Sequence, residues 1–260
     1  MAETLEYRAL LALDIERSSG RGNVALRRIR AVLAAALREA LERSGIAWSA
    51  CVHDDLGDGL RVAAPAGLPK AALVHPLVRE LAVRLRAHNR AAAPGTAVRV
   101  RAALHAGEVY VGGAGGAGVT GGPLEVLARL LDAPVLKTAL AQAPESVSVA
   151  LLMSRHFHEE TVRHGYPGID PDAFHQVAFT TKEYSAEAWL HLAPDAPGAP
   201  RPVPAGPAAA DAPGADPAPG PTPGEGAGPG ASTMVNTATG NGAVFAVQHG
   251  TQHVHRPHGR

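Results

Sequence analysis

The stretch "HDDLGDGL", His53–Leu60, places three aspartates in five residues around a Gly-Asp-Gly, and the apolar "RVAAP" follows at once. Two readings stand. Asp-Gly supplies the positive φ that a tight hairpin turn needs. Alternatively, the aspartates gather at a strand junction to hold a metal. The rest of the chain bears on the choice.

Upstream, "YRALLALDIE" (7–16) has the near-continuous apolar pattern of a buried strand that ends in acid. "GNVALRRIRAVLAAALREALERSG" (22–45) repeats its apolar residues at helical spacing and stops at Gly45. "AWSACVH" and "LRVAAP" then flank the acidic turn as strands. Downstream, "KAALVHPLVRELAVRLRAHNR" (70–90) is an amphipathic helix interrupted by Pro76, and "AVRVRAALHAGEVYVG" (97–112) reads as two strands joined near Ala106-Gly107. A glycine-rich loop, "GGAGGAGVTGG", precedes a helix over 124–142. "SVSVALLM" is a strand, "SRHFHEETVRHG" a helix, and "FHQVAFTTKEYSAEAWLHL" a closing strand pair. This β-α-ββ-α-ββ-α-β-α-ββ order predicts an α+β fold, with helices on one face of a mainly antiparallel sheet.

Residues 194–231 hold 12 of the 22 prolines and 8 glycines, with alanine filling most of the rest. Such a segment buries too little apolar surface to offset its ordering entropy, which predicts a disordered tether. The expected organisation is therefore a folded domain over 1–193, a Pro/Gly/Ala-rich linker over 194–231 and a short tail over 232–260. With 24 basic and 24 acidic residues the net charge is zero, so neither nucleic acid nor an anionic membrane surface is an expected partner. Cys51 is the single cysteine, which excludes an internal disulfide and a cysteine-rich zinc site. Arg8 and Asp14 interrupt the first apolar run, so no signal peptide is expected, and no run reaches membrane-spanning length. A soluble cytoplasmic protein is the expectation.

In this order Asp14 closes the first strand and Asp58 sits on the next hairpin. If those elements pair, both carboxylates emerge at one sheet edge. Hard oxygen ligands there suit Mg²⁺ or Mn²⁺ brought in by a nucleotide's phosphates, and two such metals can activate a hydroxyl and stabilise a leaving pyrophosphate.

"LALDIERSSG", "DDLGDGLRVAAP", "VRVRAALHAGEVYV" and the glycine-rich loop with "RLLDAP" together resemble the class III nucleotidyl (adenylate/guanylate) cyclase domain, in a divergent form common in actinobacterial signalling proteins. The resemblance spans about residues 7–192 and implies a ferredoxin-like core and a head-to-tail homodimer. It puts Asp14 and Asp58 at the metal-binding aspartates, with the carbonyl of Ile15 as a backbone ligand and Gly57 in the cofactor-binding turn. The family's transition-state arginine falls on Arg129; its partner asparagine, four residues earlier, falls on Glu125. The purine-reading lysine and aspartate of the family fall on Asp54 and Gly118. The chain thus keeps the metal anchors and one arginine, and departs at three other functional positions.

Blander readings accompany these. Asp14 could cap a helix near Ser18 or Ser19, and Asp58 could be a turn residue only. The glycine-rich loop lacks the lysine of a phosphate-binding P-loop. His105, His156, His158, His164 and His175 show no metal-ligand spacing, and Cys51 reads as a small buried hydrophobe.

In the tail, "NTATGNGAVFAVQHGTQHVHRP" (236–257) contains an uncharged β-prone core flanked by Asn236, Asn241, Gln248 and Gln252. Uncharged apolar segments with stackable amides are what steric zippers use. The stretch resembles bacterial amyloid signalling motifs related to the RIP homotypic interaction motif, with Val244, Phe245, Val247, Gln248 and Gly250 as its self-assembly residues and His249 as a departure. A histidine-based transition-metal tail is the other reading. The whole chain reads as a signalling adaptor or sensor: a dimeric, degenerate cyclase-like domain that binds a metal–purine nucleoside triphosphate, tethered to a motif that templates a matching partner protein. The alternative is an active cyclase that makes a cyclic nucleotide.

Overall fold

Five consecutive residues of the first strand, Ala9–Leu13, are buried, which requires cover on both faces of the sheet. The computed structural model describes residues 3–93, 95–112, 118–181 and 184–193. The expected linker and tail, including Val244, Phe245, Val247, Gln248 and Gly250, lie outside the described residues. β1 (Thr4–Ile15) is followed by α1 (Asn23–Arg43), β2 (Val52–Asp55), β3 (Gly59–Ala63) and α2 (Leu77–Ala91). Then come β4 (Val100–Val111), β5 (Val119–Thr120), α3 (Gly122–Asp132), α4 (Pro134–Gln142), β6 (Val149–Ser154), α5 (Arg155–Glu160), β7 (His175–Thr181) and β8 (Tyr184–Ala193).

The strands form one sheet in the order β2-β3-β1-β4-β6-β8-β7, with β5 paired to the end of β4. All pairings are antiparallel except β4 with β6. The α+β class and the mainly antiparallel sheet agree with the sequence reading. Helices on one face do not. Leu11, Leu13 and Ile15 of β1 pack with α1, α2 and Phe157 of α5, whereas Leu10 and Ala12 pack with Leu127 and Leu130 of α3 and Leu136 and Leu140 of α4. Period-2 alternation sends neighbouring residues to opposite faces, so an unbroken apolar run reports two cores.

Three local expectations change for identifiable reasons. The stretch 97–112 is not a hairpin. β4 runs unbroken from Val100 to Val111 because β1 pairs with it at every position from Thr4 to Ile15. Gly107, read as a turn, lies within that ladder opposite Arg8, and a Cβ there would come within 2.6 Å of Pro123 Cγ. It is glycine so that α3 can approach. The helix expected over 124–142 is two helices, because Pro134 holds Ala133 extended at φ −55°, ψ 129°. Finally, α2 begins only after Pro76, and residues 70–73 form a separate 3₁₀ turn.

Candidate functional site

The β2–β3 hairpin packs beside β1 so that Asp14 lies opposite Gly59 and the Ile15 N–H donates to the carbonyl of Asp58 at 3.2 Å. This approach has a steric requirement. A Cβ on Gly59 would lie 2.0 Å from the Leu13 carbonyl oxygen, a distance real side chains do not occupy. In the Gly-Asp-Gly, then, Gly57 makes the turn with φ 93° and Gly59 permits the backbone contact. Asp58 stands between them, next to the end of β1.

The turn is closed by the Leu56 N–H donating to the Gly59 carbonyl at 3.0 Å and by Asp55, whose Oδ1 accepts the Gly57 N–H at 2.8 Å. Asp58 is therefore free of that duty. Its Oδ2 instead accepts the Ser18 hydroxyl at 2.5 Å, from the loop between β1 and α1. Arg21 fastens that loop by donating to the carbonyls of Glu16, Arg17 and Ala97, each at 2.7 Å. Asp58 does sit in the turn between β2 and β3, whereas the reading of Asp14 as a helix cap does not hold. Helix α1 starts at Asn23 with no side-chain cap, so Asp14 caps nothing.

Asp14 is held across the ladder by Arg101, whose guanidinium reaches Oδ2. Its Oδ1 is buried with no hydrogen-bond partner, and so is Arg101 Nε. Burial raises the Asp14 pKa; Arg101 opposes this, and Asp58 and Asp132 add to the rise by repulsion. A buried acceptor and a buried donor are thus left unsatisfied side by side, a costly arrangement. The acceptor suits a cation and the donor suits an anion. Of the expected ligands Asp14 alone meets this criterion, through Oδ1, while Asp58 and the Ile15 backbone lie beside it with oxygen donors of the type a hard divalent cation takes; Arg101 Nε suits an oxygen of a phosphate. Among the described residues no group of three or more His, Cys, Asp or Glu side chains is arranged to hold a metal, so the carboxylates provide a pair rather than a closed cage.

The other two aspartates of the stretch are each opposed by an arginine. Asp54 pairs with Arg61 at 2.8 Å and Asp55 with Arg30 at 2.5 Å. The sequence reading missed what faces Asp58. A cleft of about 400 Å³ runs between the hairpin and α1, lined by Arg27, Arg30, Asp58 and Gly59. The available signal was the spacing of Arg27 and Arg30 on one face of a helix that follows the first acid.

Arg129 and Glu125 are on α3, away from the hairpin in the chain, and they pair with one another at 3.7 Å. The Arg129 guanidinium also stacks over the Tyr184 ring at 4.7 Å. Glu125 thus partly neutralises the arginine it accompanies. The structure brings Asp14, Ile15, Gly57 and Asp58 together at one edge of the sheet.

No family model and no curated protein matches the sequence. Solved structures do match by fold. A guanylyl cyclase crystal structure superposes with a TM-score of 0.52 at 15% identity, over 74% of this chain and 93% of that one. An adenylate/guanylate cyclase/hydrolase from Silicibacter pomeroyi gives 0.51 at 16%, over 73% and 98%. A bacterial light-regulated adenylyl cyclase gives 0.53 at 12%, over 73% of this chain and 52% of that longer one. At these identities the likeness is one of fold: the chain has the architecture of class III adenylyl and guanylyl cyclase domains.

Proposed function

We propose that the domain is a signalling module that binds a nucleoside triphosphate, purine by family likeness, together with a divalent cation at the Asp14–Asp58 edge. The observation that carries this reading is the pairing of those acids beside the unsatisfied Asp14 Oδ1 and Arg101 Nε. Asp14, Asp58 and the Ile15 carbonyl would hold Mg²⁺ or Mn²⁺, which when bound neutralises phosphate oxygens and lowers the pKa of a coordinated hydroxyl. Arg101 turns from Asp14 toward the phosphates, while Arg27 supplies positive charge along α1 beside the Arg30–Asp55 pair. Ser18 orients Asp58.

Turnover is a separate matter. Glu125 replaces a hydrogen-bond donor with a carboxylate, and Arg129 is engaged by Glu125 and Tyr184. The phosphate charge that develops in a transition state therefore meets a partly quenched arginine. We read the domain as a homodimeric nucleotide sensor whose occupancy sets the local concentration of its tails, and the tail as a homotypic assembly motif for a partner protein. Purified full-length protein, Mn²⁺ and each of the four nucleoside triphosphates test this. Binding heat without pyrophosphate release fits the sensor; release that is lost in Asp14→Ala and Asp58→Ala assigns a cyclase instead.

A further inference from the structure

A second cleft, about 820 Å³, opens between α3 and the β7–β8 strands. Its floor residue His105 is four positions along β4 from Arg101, about 13 Å at strand spacing, so the cleft is not part of the Asp14–Asp58 edge. We propose that this cleft binds an uncharged, planar heteroaromatic molecule of two or three fused rings, presenting a hydrogen-bond acceptor to His105.

Each part of the lining contributes to that assignment. Val126 and Leu130 of α3 form one apolar wall, and Phe179 and Tyr184 form the other. The two rings lie 6.0 Å apart between centroids at 52°, so a flat ligand meets π faces as well as aliphatic carbon. At the floor, His105 Nδ1 is engaged with Ser154 Oγ at 2.8 Å. That oxygen accepts the Phe157 N–H at 3.1 Å as the cap of α5; we assign its own proton to Nδ1, which puts the imidazole proton on Nε2. Burial and the neighbouring His156 push the His105 pKa down to about 4, so at neutral pH the ring offers one N–H and no charge.

The two charged residues that line the rim, Arg155 and Glu187, offset each other. Arg155 is paired with Glu159 at 2.8 Å and with Glu187 at 3.6 Å, and His156 is bonded to Tyr7 at 2.7 Å. A charged ligand would lose hydration with nothing to replace it. The volume falls within the range of about 300–1,000 Å³ typical of small-molecule sites, as does a mostly apolar wall with few polar groups. Tyr184 both lines the cleft and lies under the Arg129 guanidinium, so an occupant would order the residue that holds Arg129.

Lumichrome, an uncharged fused heteroaromatic, serves as the probe, titrated into the full chain and followed by fluorescence anisotropy. Saturable binding with one molecule per chain is expected. Ala186→Trp, a small wall residue of β8 on the same face as Tyr184 and Phe179, should weaken it at least tenfold, and His105→Phe three- to tenfold. Val24→Trp, at a distant exposed position, should leave it unchanged, and so should Asp14→Ala, which separates this site from the nucleotide reading. Absence of saturable binding, or binding indifferent to both cleft variants, overturns the proposal. So does a dimer that dissociates in Ala186→Trp without any lumichrome binding, because the cleft would then be covered by a second copy.

Discussion

Arg101 and Asp14 face one another across the β1–β4 ladder in a contact that satisfies only half of each. One carboxylate oxygen takes the guanidinium, and the other is buried without a donor. One guanidinium nitrogen reaches the carboxylate, and Nε has no acceptor. A pair built only for stability would close these gaps. In the proposed site those open atoms are the ones a cation and an anion would engage.

The Asp14–Asp58 relation depends on Gly59. Gly59→Ala forces a Cβ into the Leu13 carbonyl and pushes the hairpin away from β1. We expect a loss of about 3 kcal/mol, read as a melting temperature lower by roughly 6–12 °C. Mn²⁺–nucleotide binding should fall with it. Unchanged stability would mean that the close approach is not required.

Glu125→Asn removes the charge that pairs with Arg129. Affinity for a Mn²⁺–triphosphate should rise about fivefold, equivalent to about 1 kcal/mol, measured by calorimetry with a non-cleavable analogue. Weaker binding would show that Glu125 supports the ligand rather than repelling it.

His105 is held neutral, with a folded pKa of about 4 against an ordinary 6.5. The unfolded chain therefore binds the extra proton first as pH falls. The contribution is complete above about pH 6.5 and is lost progressively as pH falls toward 4. Because the ring is only partly buried, solvent screening leaves about 1–2 kcal/mol. Urea unfolding at pH 7, 5.5 and 4.5 should show His105→Phe with a shallower acid limb than the wild type. Parallel limbs would contradict the assignment.

For the tail, a peptide covering residues 234–257 should form thioflavin-binding fibrils, and Gln248→Arg should abolish them by stacking charge in register. A peptide that stays monomeric at high concentration removes the assembly motif.

The first strand and the acidic hairpin were legible because their signals are local: an apolar run that ends in Asp14, and Asp-Gly at a turn. Their convergence followed from element order. The pairing of Asp14 with Arg101 was not legible, since it depends on a register between segments 87 residues apart. Gly107 misled for a similar reason. A glycine read alone signals a turn, while its actual cause is Pro123, sixteen positions on and brought close only by packing. The two-faced core was written in the unbroken run Ala9–Leu13, but the second helical layer that explains it needed the topology. Arg27 and Arg30 were visible as helix residues and silent as a cleft wall.

Calorimetric titration of Mn²⁺ with a non-cleavable nucleoside triphosphate into the full-length protein tests the central claim most directly. The wild type should bind the metal–nucleotide, and Asp14→Ala and Asp58→Ala should each weaken it at least tenfold while retaining the wild-type circular dichroism spectrum. No binding heat in the wild type, or equal binding in all three proteins, would contradict it.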